Sequence, residues 1–561
     1  MPFFIFLILS GVLSYRLAHL QIVESKNYQE QAYAAQQGRV DLDPIRGEIL
    51  GQDKDRNLVI LATNKQWPGA YLVPAKVPAQ DIDPMAEKLA EITGLERDLI
   101  KARLSKNNDP FEPLKDRLSP AEETSLRALT YPGLAFAGSW ARYYPLHNLV
   151  SQVLGFVGNT EEGRRGQYGI EGTYDDELKG EPGATQGDRG SKGQIIPFGL
   201  MELGEPQSGA TVVLTIDPNI AKEAQAIAAD LVKEYSAQSA SVVVLDPVTG
   251  AVRAMESVPN FNPNEYGQAD SASLYTNPII QAAYEPGSIF KPITMAGAID
   301  LGKLTPNSFY EDKGLLVFGG RTIQNFDKQA YGRVNMTTVL EKSLNTGAVF
   351  AQQAQGGEAF RHYVEAFGFG EKTGVGINGE AAGDIRNLGT NREINLATAS
   401  FGQGIAVTSL QIARAFAAIA NGGDLVSPYV VERIVRDNDS AYVHTPDVRR
   451  KVIAQETSRT LTQMLVSVVE RGFDRWAVVP GYKLAGKTGT AQIPNPAGGY
   501  YEDVYTHSFV GYGPAEKPKF VIVIKLDQPL GVNFASRSTA PAFAKLAQYL
   551  LNYYAIPPTV D

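Results

Sequence analysis

Residues 2–13 are almost wholly apolar, and the pattern continues through residues 14–23 with Arg16 and His19 as its strongly polar breaks. A membrane span needs about 20 mostly apolar residues. This stretch reaches that length only by including Arg16 and His19. Their three-residue spacing puts them on one helical face near one end, where a long side chain can reach the interface. A small-residue motif, Ala32-Tyr33-Ala34, lies far from the apolar run, and no basic segment precedes that run. The pattern therefore predicts an uncleaved anchor rather than a signal peptide, with everything after it on one side. With no basic residue before Pro2, positive-charge counting gives no orientation.

Residues 24–205 mix short elements: helical periodicity at 83–93 and 120–129, extended pieces, and many Gly/Pro turns. Residues 163–193 are rich in glycine and charge and read as exposed loops with short strands. After Gly209 the character changes. Residues 211–216 read as a strand. Asp217 is placed to cap a helix that Pro218 opens and that runs to about Tyr235. Residues 241–245 and 251–255 flank the turn Asp246-Pro247-Val248-Thr249-Gly250, a hairpin signal. Residues 507–511 and 519–526 form a second strand pair around Pro514. An antiparallel sheet contributed by both ends of this region, with helices between, predicts an α+β layered domain. The division expected is an anchor at 1–23, a non-catalytic pedestal at 24–205 and the layered domain at 206–561, within the two to four units that 561 residues suggest.

Composition narrows the chemistry. Hydrophobic residues make up 43% and charged residues 20%, which is ordinary for a globular chain. A net charge of -9 without a basic cluster argues against nucleic acid as a partner. No cysteine is present, which removes thiol nucleophiles, thiolate metal sites and disulfides together. The five histidines, His19, His147, His362, His444 and His507, are scattered without metal-ligand spacing. The glycine pattern at 367–374 lacks the βαβ frame of a nucleotide loop. Glu161-Glu162 and Asp175-Asp176 read as surface loops. No metal and no cofactor are expected.

Three short motifs remain. In Ser288-Ile289-Phe290-Lys291 the serine and lysine are three apart at the start of a predicted helix ending near Gly302, so they share one face. A serine hydroxyl needs a neighbouring proton acceptor, and lysine serves only when neutral. The helix N-terminus can stabilise an oxyanion. In Ser343-Leu344-Asn345, after a helical run at 336–342, a hydroxyl and an amide project from one loop. The serine can relay a proton and the asparagine can bond a substrate amide. Lys487-Thr488-Gly489-Thr490 reads as an edge strand whose glycine admits a ligand's backbone and whose lysine and hydroxyls can hold a carboxylate. Singly, each motif is weak: a helix start, a turn, a glycine-containing strand. In this order they match the set of serine transpeptidases that bind penicillin.

On these motifs the chain resembles a class B penicillin-binding protein over nearly its whole length. Arg142-Tyr143-Tyr144-Pro145, Val153-Leu154-Gly155-Phe156 and residues 166–172 resemble the family's pedestal; residues 367–374, Gly402-Gln403-Gly404 with Thr408 and Gln411, and Asn421-Gly422-Gly423 resemble its catalytic domain. The resemblance implies a penicillin-binding transpeptidase domain of the serine β-lactamase-like type, an antiparallel sheet flanked by helices, behind a mixed α/β dimerisation-type pedestal and one transmembrane helix. It implies that Ser288 is acylated with Lys291 as its base, and that Ser343 and Asn345 flank the groove. Lys487, Thr488 and Thr490, with Gly489 between them, would bind the terminal carboxylate that β-lactams also present. The backbone amides of Ser288 and Thr490 would form the oxyanion hole. The implied substrates are peptidoglycan stem peptides outside the cell membrane. The implied partners are β-lactams, the membrane, an FtsW-like glycosyltransferase of the SEDS type and other division proteins. Lys487–Gln492, Gly498-Gly499-Tyr500-Tyr501 and Ser508–Gly511 lean toward the division-specific, FtsI-like branch. The alternatives are the elongation-specific branch, a D,D-carboxypeptidase or β-lactamase, and a non-catalytic division scaffold. The early Arg46-Gly47-Glu48-Ile49 segment departs from the family in that its Asp-Arg pair is displaced to Asp55-Arg56.

Overall fold

The computed structural model describes residues 2–24, 37–42, 44–106, 109–161, 163–188, 201–318, 320–390, 392–436 and 441–558. Ala32-Tyr33-Ala34 and residues 189–193 of the glycine-rich stretch lie outside them. The chain divides into two compact units.

The smaller unit comprises residues 1–47 and 176–210. It holds an α-helix, Pro2–Ala18, of 17 residues, followed by a π-helical turn, His19–Val23. Among the described residues no helix is long and apolar enough to cross a membrane. The unit also carries a three-stranded antiparallel sheet with Gly183–Asp188 between Gln37–Leu42 and Met201–Gly204.

The larger unit contains two main sheets. The first has seven strands: Ala441–Val443, Val431–Val435, Thr211–Leu214, Ile49–Gln52 and Leu58–Leu72 in order, with Glu112–Lys115 and Leu134–Tyr143 both pairing the last. Thr211–Leu214 runs parallel to Ile49–Gln52, so the strand expected to open the layered domain is shared with the pedestal's sheet. A compact core of Leu72, Met85, Leu89, Ile100, Leu104, Leu114 and Leu126 packs the helices Ile82–Thr93 and Pro120–Arg127 beside it. At its end, Arg142 and Glu171 form a fully buried ion pair at 2.6 Å, and the Tyr144 hydroxyl donates to the same carboxylate.

The second sheet has five antiparallel strands in the order Val252–Val258, Ser239–Leu245, Phe520–Asp527, Tyr500–Gly513, Ala485–Pro494. Strand side chains alternate between faces. Phe509 therefore turns to Phe543 of the helix Thr539–Tyr553, ring centroids 4.5 Å apart, while the Tyr512 hydroxyl lies 2.8 Å from Thr462 of the helix Gln455–Arg471 on the opposite face. The helix Pro218–Glu234 starts where the sequence expects. Asp217 accepts from the backbone N–H of Asn219 at 2.9 Å, and Ile220, Ala224, Ile227 and Leu231 make one buried stripe. The helix Ser409–Ala420 is buried along nearly its whole length and is started by a reciprocal cap between Thr408 and Gln411.

Candidate active site

Ser288 lies in a tight 3-10 turn, Gly287–Phe290, and the α-helix proper begins at Lys291 and ends at Asp300. The helix start expected at Ser288 is thus displaced by one turn. Gly287 has φ +58°, which glycine adopts without steric cost. Its N–H donates to the Gly402 carbonyl at 3.1 Å, and a Cβ on Gly402 would come within 2.3 Å of the Gly287 carbonyl oxygen. Two backbones pressed together hold the serine's turn in place.

Lys291 is 1% exposed. Its Nζ donates to the Ser343 carbonyl and, at 3.0 Å, to Ser343 Oγ. Burial holds its pKa well below the ordinary lysine range, and the nearby positive charge of Lys487 adds to that, against the opposing pull of Asp474. Desolvation disfavours the charged amine, and a neutral amine beside a hydroxyl can take its proton.

Ser343 has φ +54° between the helices Met336–Glu341 and Asn345–Gln355. Asn345 opens the second helix rather than lying on the loop with Ser343. Its Nδ2 donates to the Gln324 carbonyl at 2.8 Å.

Lys487 through Thr490 lie on the edge strand Ala485–Pro494. A Cβ on Gly489 would stand 2.6 Å from Ser508 Oγ, 2.8 Å from the Pro286 carbonyl oxygen and 3.1 Å from Ile289 Cγ2. Only glycine lets this strand lie so close to the Ser288 turn. Lys487 is 1% exposed, and burial lowers its pKa while Asp474 works against the shift. Thr490 is half-buried, and its Oγ1 accepts from the Ala535 N–H at 3.1 Å. The three motifs thus meet: Lys291 bonds Ser343, Lys487 bears electrostatically on Lys291, and Gly489 leaves no room for a Cβ against Pro286, just before the Ser288 turn, and Ile289 within it.

Two acids that sequence reasoning did not single out stand at this site. Asp474, wholly buried, accepts from the Thr488 N–H at 3.0 Å and the Thr488 hydroxyl at 2.6 Å, and lies 3.5 Å from Lys487 Nζ. Glu285 accepts from the Gly404 N–H and from the Tyr500 hydroxyl, each at 2.9 Å, and burial raises its pKa. Asp474 sits in the turn after Arg471 and carries no motif. Glu285 precedes the Ser288 turn by two residues, and that adjacency was the available signal.

A family model described as the penicillin-binding protein transpeptidase domain matches residues 240–548, and one described as the penicillin-binding protein dimerisation domain matches residues 41–214. The chain is 31% identical to stage V sporulation protein D of Bacillus subtilis, over 99% of this chain and 86% of that one. It is 29% identical to the peptidoglycan D,D-transpeptidase FtsI homolog of Mesostigma viride, over 75% of this chain and 74% of that one. Among solved structures, penicillin-binding protein 3 of Mycobacterium tuberculosis complexed with aztreonam superposes with a TM-score of 0.71 at 27% identity, covering 93% of this chain and 99% of that one. A transpeptidase domain behind a dimerisation domain, with relatives of matching length, places this chain among the class B penicillin-binding proteins, the serine-type peptidoglycan D,D-transpeptidases.

Proposed function

We propose that the chain cross-links peptidoglycan stem peptides through an acyl-enzyme on Ser288, in the septal wall of dividing cells. The observation that carries the catalytic part is the buried Lys291, its pKa depressed and its Nζ bonded to Ser343 one turn beyond Ser288. Neutral Lys291 takes the proton as Ser288 Oγ bonds to the carbonyl carbon of the donor's penultimate D-Ala. The oxyanion is held by the amides of Ser288 and Thr490. The C–N bond to the terminal D-Ala breaks, and its amine leaves with a proton delivered through Ser343. An amine of a second stem peptide then attacks the ester, the new amide forms, and Ser288 recovers its proton. Lys487, Thr488 and Thr490 on one strand hold the donor's carboxylate, and Asn345 lines the groove.

The same chemistry accommodates β-lactams as donors, and the relative complexed with aztreonam supports that extension. A fluorescent penicillin is the test. Covalent labelling that vanishes in Ser288→Ala supports the assignment; labelling that persists refutes it. Release of hydrolysed penicillin with rapid turnover favours the carboxypeptidase or β-lactamase reading.

The septal assignment draws on the division-like sequence around Lys487–Gln492 and on the FtsI homolog among the relatives. Filaments on depletion support it, and round cells point to elongation. We propose further that residues 1–23 anchor the chain in the cell membrane with residues 24–205 as pedestal and 206–561 as catalytic domain outside it, alongside an FtsW-like glycosyltransferase. The apolar run at residues 2–13 supports the anchor. Carbonate-resistant membrane association, lost on deletion of residues 1–23, is the expected result.

A further inference from the structure

The strand that presents Lys487, Thr488 and Thr490 offers an incoming carboxylate one ammonium and two hydroxyls, and the hydroxyls are not equivalent. Thr490 Oγ1 accepts a hydrogen bond from the Ala535 N–H, so its own hydrogen remains free to donate. Thr488 Oγ1 donates its only hydrogen to Asp474 at 2.6 Å, and its N–H goes to the other oxygen of the same carboxylate. Lys487 Nζ bonds the Thr488 carbonyl at 3.1 Å and faces Asp474 at 3.5 Å, with both side chains at 2% exposure or less. A carboxylate accepts only. Asp474 is therefore an internal anion seated on two of the three groups that the substrate's own anion would use.

We propose that Asp474 is a positioning residue that turns the Thr488 hydroxyl hydrogen inward and balances the Lys487 charge, leaving Lys487 and Thr490 as the pair that grips the substrate carboxylate. The inference rests on the reading of this groove as the carboxylate end of a transpeptidase site. It reassigns Thr488 from a substrate donor to a spacer, and it makes Asp474 a brake on anion binding. Charged hydrogen-bond partners are worth more than neutral ones, so an Asp at this position matters beyond its shape. An Asn there keeps the volume, removes the negative charge and releases the Thr488 hydrogen toward the groove.

The test is the concentration dependence of labelling by a fluorescent penicillin, which separates the dissociation constant Ks from the acylation rate k2. Asp474→Asn is expected to lower Ks about threefold. The gain should disappear in Asp474→Asn/Thr488→Val, because the freed hydroxyl is gone, and with a penicillin methyl ester, because the anion is gone. Thr490→Val should raise Ks more than Thr488→Val does. A purely structural Asp474 would loosen the site, so Ks that rises or stays constant in Asp474→Asn overturns the proposal. Should that variant not fold, Thr488→Val raising Ks as much as Thr490→Val overturns it equally. Wild-type labelling that survives Ser288→Ala overturns the reading of the groove along with it, whereas a Ks that fails to fall removes the role of Asp474 alone.

Discussion

Gly402→Ala tests whether the Ser288 turn is held from behind by backbone contact. Two costs add. At φ +82° an L-residue is strained by about 1–2 kcal/mol. The new Cβ would also meet the Gly287 carbonyl oxygen at 2.3 Å, its N at 2.6 Å and its carbonyl carbon at 2.9 Å. All three are backbone atoms with no rotamer to yield, so the turn must retreat by about 1 Å, and overpacking of this kind costs about 1–3 kcal/mol. The sum, about 2–5 kcal/mol, is a large fraction of a typical domain's stability without exceeding it. A displacement of about 1 Å at a nucleophile costs about 100-fold in rate. The control is Gly404→Ala. Its φ of +74° carries the same strain, but its Cβ would meet only Asn387 Nδ2 and Thr398 Oγ1, both at 3.5 Å. Expected, then, are a lowered melting temperature for both variants and a roughly 100-fold loss of fluorescent-penicillin labelling for Gly402→Ala alone, with Gly404→Ala within about fivefold of wild type. Labelling of folded Gly402→Ala within threefold of wild type would refute the argument that this contact positions Ser288.

Acylation should fall as pH drops through the depressed pKa of Lys291. Because Lys487 pushes that pKa down, Lys487→Gln should move the acid limb of the labelling rate to higher pH. The sign for stability follows: the folded state binds the Lys291 proton less tightly than the unfolded chain, so this group destabilises the fold below the unfolded lysine value and the cost is relieved as pH rises. Denaturant midpoints of Lys291→Met should accordingly rise less steeply with pH than those of wild type. Glu171→Gln leaves Arg142 charged and buried, and a broken pair of this kind costs about 3–5 kcal/mol. Urea unfolding of the isolated protein checks it, with no change in the acid limb of labelling.

The helix after Asp217 and the hairpin Ser239–Leu245/Val252–Val258 were legible in sequence because their signals are local: a cap with proline, and β-rich runs around a turn. Lys487–Thr490 was legible as an edge strand for the same reason. Thr211–Leu214 was read as a strand but not as one shared with the pedestal's sheet, since pairing with Ile49–Gln52 spans about 160 residues and leaves no periodic trace. The 3-10 turn at Ser288 and the helical start at Asn345 follow from tertiary contacts, the Gly402 backbone and the Gln324 carbonyl, that local propensity does not contain. Asp474 escaped notice because a buried counter-ion is defined by what surrounds it, and a lone acid in a turn is commonplace.

The catalytic sheet draws two strands from residues 239–258 and three from residues 485–527, so its central pairing, Ser239–Leu245 with Phe520–Asp527, joins segments separated by more than 270 residues. Order of synthesis then matters. A growing chain exposes the Ser288 turn and the hydrophobic hairpin long before the strand that closes the sheet exists, and long-range pairing is slow and leaves unpaired edges exposed. Reactivity toward penicillin can appear only once residues through Asp527 have emerged. Nascent chains halted before and after that point should differ all-or-none in labelling, so on the proposed reading Ser288 is made well before it can react.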